Sequence, residues 1–129
     1  MLYLDSSGIV KLVVREPETA ALIEFVRSAS ALTSSALARA EVMRAIRRVR
    51  RSAARAESTL DVIALVPIDD GIIRAAAELD PATLGTLGAI HLATALSLGS
   101  DISRLVTYDD RLTRAATAAG LEVIAPSDL

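Results

Sequence analysis

Three acids stand where they could do chemistry together. Asp5 closes the short apolar run Leu2–Leu4, Asp109 follows the stretch "RLVT", and Glu41 lies in a helical stretch otherwise crowded with arginine. In open α/β sheets, ligands bind beyond the carboxyl ends of the strands, which is where Asp5 and Asp109 fall. Each also has an ordinary role available, as N-cap of the helix that follows, and Asp110 is the better cap of the last acidic pair. Taken alone, Glu41 reads as a surface acid paired with Arg44 or Arg48, an interaction worth only about 0.3–0.5 kcal/mol. Taken together, carboxylates gathered at one sheet edge repel one another unless a cation sits among them, and oxygen-only donors suit Mg²⁺ or Mn²⁺. A cation so held polarises a phosphodiester and lowers the pKa of an attacking water. The expected reaction class is phosphodiester hydrolysis.

The elements that must position these acids follow from the hydrophobic pattern. Leu2–Leu4 reads as a strand, and Ser6-Ser7-Gly8 leads into helical spacing at Ile9, Leu12 and Val13. Pro17 suits the first turn of a second helix carrying Ala21, Leu22, Phe25 and Val26. Ala31–Ser35 predicts a strand ending in serine N-caps, before a long helix from about Ala36. On that helix Ala38, Val42, Ile46, Val49 and Ala53 form one apolar face; Arg44, Arg47, Arg48, Arg51 and Arg55 lie opposite, with Glu41 on the flank between them. Further on, the pattern predicts a helix over 56–64, a strand over 65–68, a helix over 70–79 and a loop over 80–85. The helix "TLGAIHLATAL" comes next, then "RLVTYDD" as strand and turn, a helix over 110–119 stopped by Gly120, and a last strand "EVIA". Repeated strand-then-helix order with short apolar strands implies an α/β sandwich around a mostly parallel sheet.

Composition narrows the partners. A chain of 129 residues with 52% hydrophobic content is the size of one domain, 1–129, with a sizeable core. At 2% aromatic residues it has little with which to stack bases, which argues against an aromatic reader of single-stranded nucleic acid. With no cysteine it has no disulfide and no thiolate metal site, so any metal must be held by oxygen. No signal-peptide pattern opens the chain and no apolar run reaches the ~20 residues needed to span a bilayer, so a cytoplasmic location without membrane contact is expected. The net charge of −2 hides an asymmetry: half of the 14 basic residues lie between Ser35 and Ala56, with Glu41 the only acid there. Arg39, Arg44, Arg47, Arg48 and Arg51 are candidates for contact with RNA phosphates or with a partner protein, and a solvated helix face is the plainer reading.

The four stretches "YLDSSGIVKLVVREPE", "SSALARAEVMRA", "TLGAIHLATAL" and "LVTYDDRL", in this order and spacing, resemble the successive motifs of PIN-domain ribonucleases, specifically the VapC toxins of VapBC toxin–antitoxin pairs. The resemblance spans nearly the whole chain. It implies a PIN-like three-layer α/β/α sandwich, Mg²⁺- or Mn²⁺-dependent cleavage of RNA of the tRNA or rRNA class, a homodimer, and a VapB-type antitoxin that occludes the site. Carried over residue by residue, it places the catalytic and metal-holding acids at Asp5, Glu41 and Asp109. Ser7 and Thr107 match hydroxyl residues beside the first and last of them, with supporting roles in orienting carboxylates or water, or in capping local turns.

The chain departs from this pattern at Gly88, where the family has an aspartate in the first turn of the helix. Glycine there supplies no carboxylate and weakens the helix by about 1 kcal/mol relative to alanine. An impaired or inactive ribonuclease is therefore expected, and the alternative is a non-catalytic PIN module that binds RNA or antitoxin. His91, the only histidine, reads as a hydrogen-bonded core residue rather than a ligand. A haloacid-dehalogenase-like phosphatase would need a second aspartate two residues after Asp5, where this chain has Ser7.

Overall fold

Alternation along two short central strands sets up the architecture, seen here in a computed structural model that describes residues 1–127. In β1 (Leu2–Leu4), Leu2 and Leu4 point to one face of the sheet and Tyr3 to the other; in β4 (Arg104–Val106), Val106 joins the first face and Leu105 the second. Strands apolar on both faces must be covered on both. The remaining strands are β2 (Leu32–Ser35), β3 (Ile63–Val66) and β5 (Val123–Ile124). All pairings are parallel, in the order β3-β2-β1-β4-β5, so the mostly parallel sheet expected is parallel throughout among the described residues.

The first face carries α1 (Ser6–Val13), α2 (Thr19–Arg27), α3 (Leu37–Arg48) and α4 (Ala53–Asp61), which bury Ile9, Val13, Leu22, Ala38, Val42, Ile46, Ala56 and Leu60. The second is covered by α6 (Thr86–Leu98) and α7 (Asp110–Ala118), through Leu92, Ala95, Leu112, Ala115 and Ala116. Helix α5 (Asp70–Glu78) lies outside α6, with Ile72 against Ile90 and Ala93. Flanked by the sheet and α5, α6 is buried continuously from Ala89 to Ala95. An apolar helix without a polar face needs such a place. The strand order reverses between β1 and β4, and that switch point lies where Asp5 and the segment after β4 emerge.

Several local expectations are corrected. The helix expected to run on through Val49 and Ala53 ends at Arg48, and both residues are exposed. It ends in a C-terminal cap: Arg51 N–H bonds to Ile46 O at 3.1 Å and Arg50 N–H to Arg47 O at 3.2 Å, with Arg50 at φ +54°. The same two-bond cap closes α7 on Gly120 at φ +93°, where glycine had announced it. At Arg50 no glycine does, so sequence pattern missed the break. Strand β3 starts at Ile63 rather than Leu65, and Pro17 precedes α2 by two residues instead of entering its first turn. Neither serine expected to cap α3 takes the N-cap position, which falls on Ala36 without a side-chain cap; Ser35, one residue earlier, accepts Leu37 N–H at 3.1 Å, and Ser34 donates to Leu4 O at 2.6 Å and ties β2 to β1.

Candidate active site

Asp5 leaves β1 directly into α1. Leu4 pairs with Val106, so the residues that follow, Asp5 and Thr107, sit side by side at the carboxyl edge of the sheet. The Asp5 carboxylate is 4% exposed and accepts three hydrogen bonds: Ser7 Oγ–H at 2.6 Å and Gly8 N–H at 3.2 Å on Oδ1, and Thr107 Oγ1–H at 2.7 Å on Oδ2. Burial pushes its pKa up, while the Ser7 and Thr107 hydroxyls, the nearby His91 and the Gly8 amide pull it down; the net direction is upward. Both hydroxyls also order the segment after β4. Ser7 Oγ accepts Tyr108 N–H at 2.9 Å, and Thr107 Oγ1 accepts Asp109 N–H at 3.1 Å. Orientation of a carboxylate and capping of a turn, weighed as alternatives for Ser7 and Thr107, are both present.

Asp109 is a different kind of acid. It is exposed, and its Oδ1 accepts Arg111 N–H at 2.8 Å and Leu112 N–H at 3.1 Å, so it is the N-cap of α7. The cap expected at Asp110 is thus one residue earlier, because the chain is still extended at Asp109 and already helical at Asp110. The second carboxylate oxygen of Asp109 takes no part in the cap.

Glu41 reaches the site from the second turn of α3. Its expected partners were Arg44 or Arg48; its carboxylate instead meets His91, Oε1 to Nε2 at 2.6 Å. His91 Nδ1 in turn faces Tyr3 Oη at 2.8 Å, with the two rings edge to face. Sequence reasoning placed His91 in the core correctly, missed Tyr3, and did not join either to Glu41. One signal was present: each is a polar residue in an apolar stretch bound for the interior, and such groups need partners.

A cleft of about 440 Å³ opens beside Glu41, with Ser7, Arg44, Arg48 and Leu87 among its walls. The arginine set singled out from sequence divides here. Arg39 pairs with Glu57 at 2.9 Å, Arg51 lines a separate cavity of about 430 Å³ with Arg15 and Arg55, and Arg47 is exposed outside both. Arg44 and Arg48 alone of the set line the cleft, and neither has an acidic partner among the described residues.

Among the described residues, no three His, Asp or Glu side chains converge on one metal position. The donors are hard oxygens: Glu41 and Asp109 each keep one carboxylate oxygen without a protein partner, whereas both oxygens of Asp5 already accept hydrogen bonds. That set suits a hydrated Mg²⁺ or Mn²⁺ held by one or two carboxylates, rather than an all-protein cage. Gly88, in the first turn of α6, adds no donor, and a Cβ there would stand 3.0 Å from Leu84 Cδ1, the movable end of a half-buried side chain.

Residues 2–118 match the PIN domain family, an α/β fold class that the parallel sheet and its switch-point acid share, and the chain belongs to that family. Within it the relatives are VapC ribonucleases: the chain is 52% identical to Ribonuclease VapC46 of Mycobacterium tuberculosis over 130 residues, which cover 98% of each protein. Among solved structures it resembles M. tuberculosis VapC20, a Sarcin-Ricin loop cleaving toxin, with a TM-score of 0.75 and 14% identity, covering 98% of this chain and 100% of that one. A toxin–antitoxin complex from Klebsiella pneumoniae matches at a TM-score of 0.72 and 19% identity over 100% of both chains.

Proposed function

We propose that this chain is a toxin-type endoribonuclease in which Asp5, Glu41 and Asp109 form the acidic site, acting on RNA of the tRNA or rRNA class and impaired by Gly88. The observation that carries the reading is Asp5: a carboxylate buried at the switch point, held by two hydroxyls and an amide, with its pKa raised. Burying an acid is costly unless its charge is used or offset. In hydrolysis a water oxygen bonds to phosphorus, the bond from phosphorus to a ribose oxygen breaks, and that oxygen takes up a proton. Ser7 and Thr107 keep the Asp5 carboxylate in one orientation, and Glu41 leaves Oε2 available to take the water's proton in the cleft. Arg44 and Arg48, one helical turn apart, face flanking phosphates as bidentate donors. A divalent cation, Mg²⁺ or Mn²⁺, held by Asp5 with Glu41 or Asp109, would neutralise phosphate charge and make water a better nucleophile. A VapB-type antitoxin fits the same reading, as the toxin–antitoxin neighbour supports, and a homodimer belongs to the proposal with it.

Cleavage of total RNA under an Mg²⁺ titration tests this. The chain should cut slowly, lose activity in EDTA, and gain on the order of 10²-fold with Gly88→Asp. Equal rates for both proteins at saturating Mg²⁺ would remove the impairment from the reading. A second reading, a non-catalytic module, is favoured by the lack of a converged three-acid group among the described residues. It predicts RNA binding indifferent to Mg²⁺ with no cleavage even by Gly88→Asp. In either case Arg44→Gln with Arg48→Gln should lower the salt slope of single-stranded RNA binding by roughly 1.4, at about 0.7 per phosphate contact, and Arg39→Gln should leave it unchanged.

A further inference from the structure

Behind Glu41 runs a buried chain of hydrogen bonds that the proposed reaction does not use. Tyr3 on the central strand is 0% exposed and His91 on α6 is 2% exposed, yet both carry polar atoms into the core. Their bonds span the second face of the sheet to α3: Tyr3 Oη to His91 Nδ1 at 2.8 Å, then His91 Nε2 to Glu41 Oε1 at 2.6 Å. A carboxylate can only accept, so the ring nitrogen facing Glu41 must carry the hydrogen. In the neutral ring Nδ1 is then the acceptor, and the Tyr3 hydroxyl donates to it. The carboxylate thus fixes the direction of the bond it receives, and in the neutral ring the chain runs one way, from a residue locked in the sheet outward to Glu41.

We infer that His91 is a positioning residue: its Nε2–H, backed by the Tyr3 hydroxyl, holds the Glu41 carboxylate in one orientation and presents Oε2 to the cleft. Glu41 sits on an outer helix with a flexible stem and makes no ion pair with the neighbouring arginines. Without His91 its carboxylate would be free to turn toward Arg44 or Arg48. A histidine that merely filled the core could be replaced by an apolar side chain of similar size; this one ends on an acid at the mouth of the site. Partners that orient a ligand in this way typically matter 10–100-fold for metal affinity or rate. The inference rests on the reading of Glu41 as a site acid, and the experiment separates the two.

Because the chain has one histidine, imidazole ¹⁵N NMR on the untagged protein reports a single ring. The expected spectrum shows hydrogen on Nε2, and a spectrum with hydrogen on Nδ1 alone overturns the inference. Mn²⁺ affinity by calorimetry, kcat and KM on RNA in the Gly88→Asp background, and thermal midpoints are then compared for Glu41→Gln, His91→Leu, His91→Gln and Tyr3→Phe. His91→Leu should weaken Mn²⁺ binding and lower kcat by about 10-fold or more with KM little changed. His91→Gln, whose amide N–H can stand in for Nε2–H, should recover most of both. Tyr3→Phe should lose severalfold alone and nothing further when combined with His91→Leu. If His91→Leu does not fold, the Tyr3→Phe and His91→Gln results decide. Unchanged Mn²⁺ affinity and kcat in folded His91→Leu, or His91→Gln as defective as His91→Leu, overturns the positioning role alone. Unchanged values in Glu41→Gln overturn the assignment of Glu41 itself, and the inference with it.

Discussion

Asp5 and Asp109 occupy equivalent places in the fold and have come to differ in almost everything else. Each follows one of two neighbouring parallel strands, each leads into a helix, and each accepts backbone N–H groups from that helix's first turn. Asp5 is buried, with hydroxyl donors on both carboxylate oxygens, and its pKa is raised; Asp109 is exposed and its side chain makes only the cap. A strand-end aspartate therefore becomes a cap by local geometry alone. It becomes a candidate catalytic group through what packs around it, and here that is Ser7 from its own helix and Thr107 from the adjacent strand.

The largest expected effect breaks this comparison at its buried member. Asp5→Asn should abolish RNA cleavage by 10²-fold or more and, in metal-free protein, raise stability at neutral pH. The sign follows from proton binding. The folded state holds the Asp5 proton more tightly than the unfolded chain, whose carboxyl titrates near about 4. Stability attached to this group is therefore complete below that pH and is lost as pH rises through the raised folded pKa. Denaturant unfolding from pH 4 upward should show that decline in the native chain and a flatter profile in Asp5→Asn; parallel profiles would mean that Asp5 is not held at cost.

At the exposed member the effects are smaller and separable. Asp109→Ala should cost about 1 kcal/mol through the lost cap, whereas Asp109→Asn keeps the capping oxygen and should be nearly neutral to stability. If Asp109→Asn nevertheless lowers Mg²⁺-dependent cleavage in the Gly88→Asp background, Asp109 serves the site as well as the helix. The smallest change concerns the two matching helix ends. Arg50 adopts the left-handed conformation that Gly120 adopts at the end of α7, and Arg50→Gly should stabilise by about 1 kcal/mol, read as a rise in the unfolding midpoint. The same substitution leaves the cleft lining intact, so cleavage should not change.

Much of the fold was legible because it is written locally. The apolar run Leu2–Leu4, helical spacing in α1, and Gly120 as a stop are properties of neighbouring residues, and the order of strands and helices implied the parallel sheet. The break at Arg50 was not legible, because a left-handed residue other than glycine is held there by its surroundings and carries no signal of its own. The site divides in the same way. Residue types and motif spacing picked out Asp5, Glu41 and Asp109, together with Ser7 and Thr107 beside them. They could not say that Glu41 would turn from its arginine neighbours to His91, nor that Arg44 and Arg48 would share its cleft while Arg39 and Arg51 would not.

The sequence by itself thus determined which acids are available, where glycine stands in place of a side chain, and which family the chain belongs to. The tertiary structure alone decided the environment of each acid. Thr107 reaches Asp5 across 102 positions, Tyr3 meets His91 across 88, and His91 meets Glu41 across 50. Contacts so distant leave no local periodicity. Burial, which raises the pKa of Asp5, and hydrogen-bond direction, which orients Glu41, exist only once the strands and helices have packed.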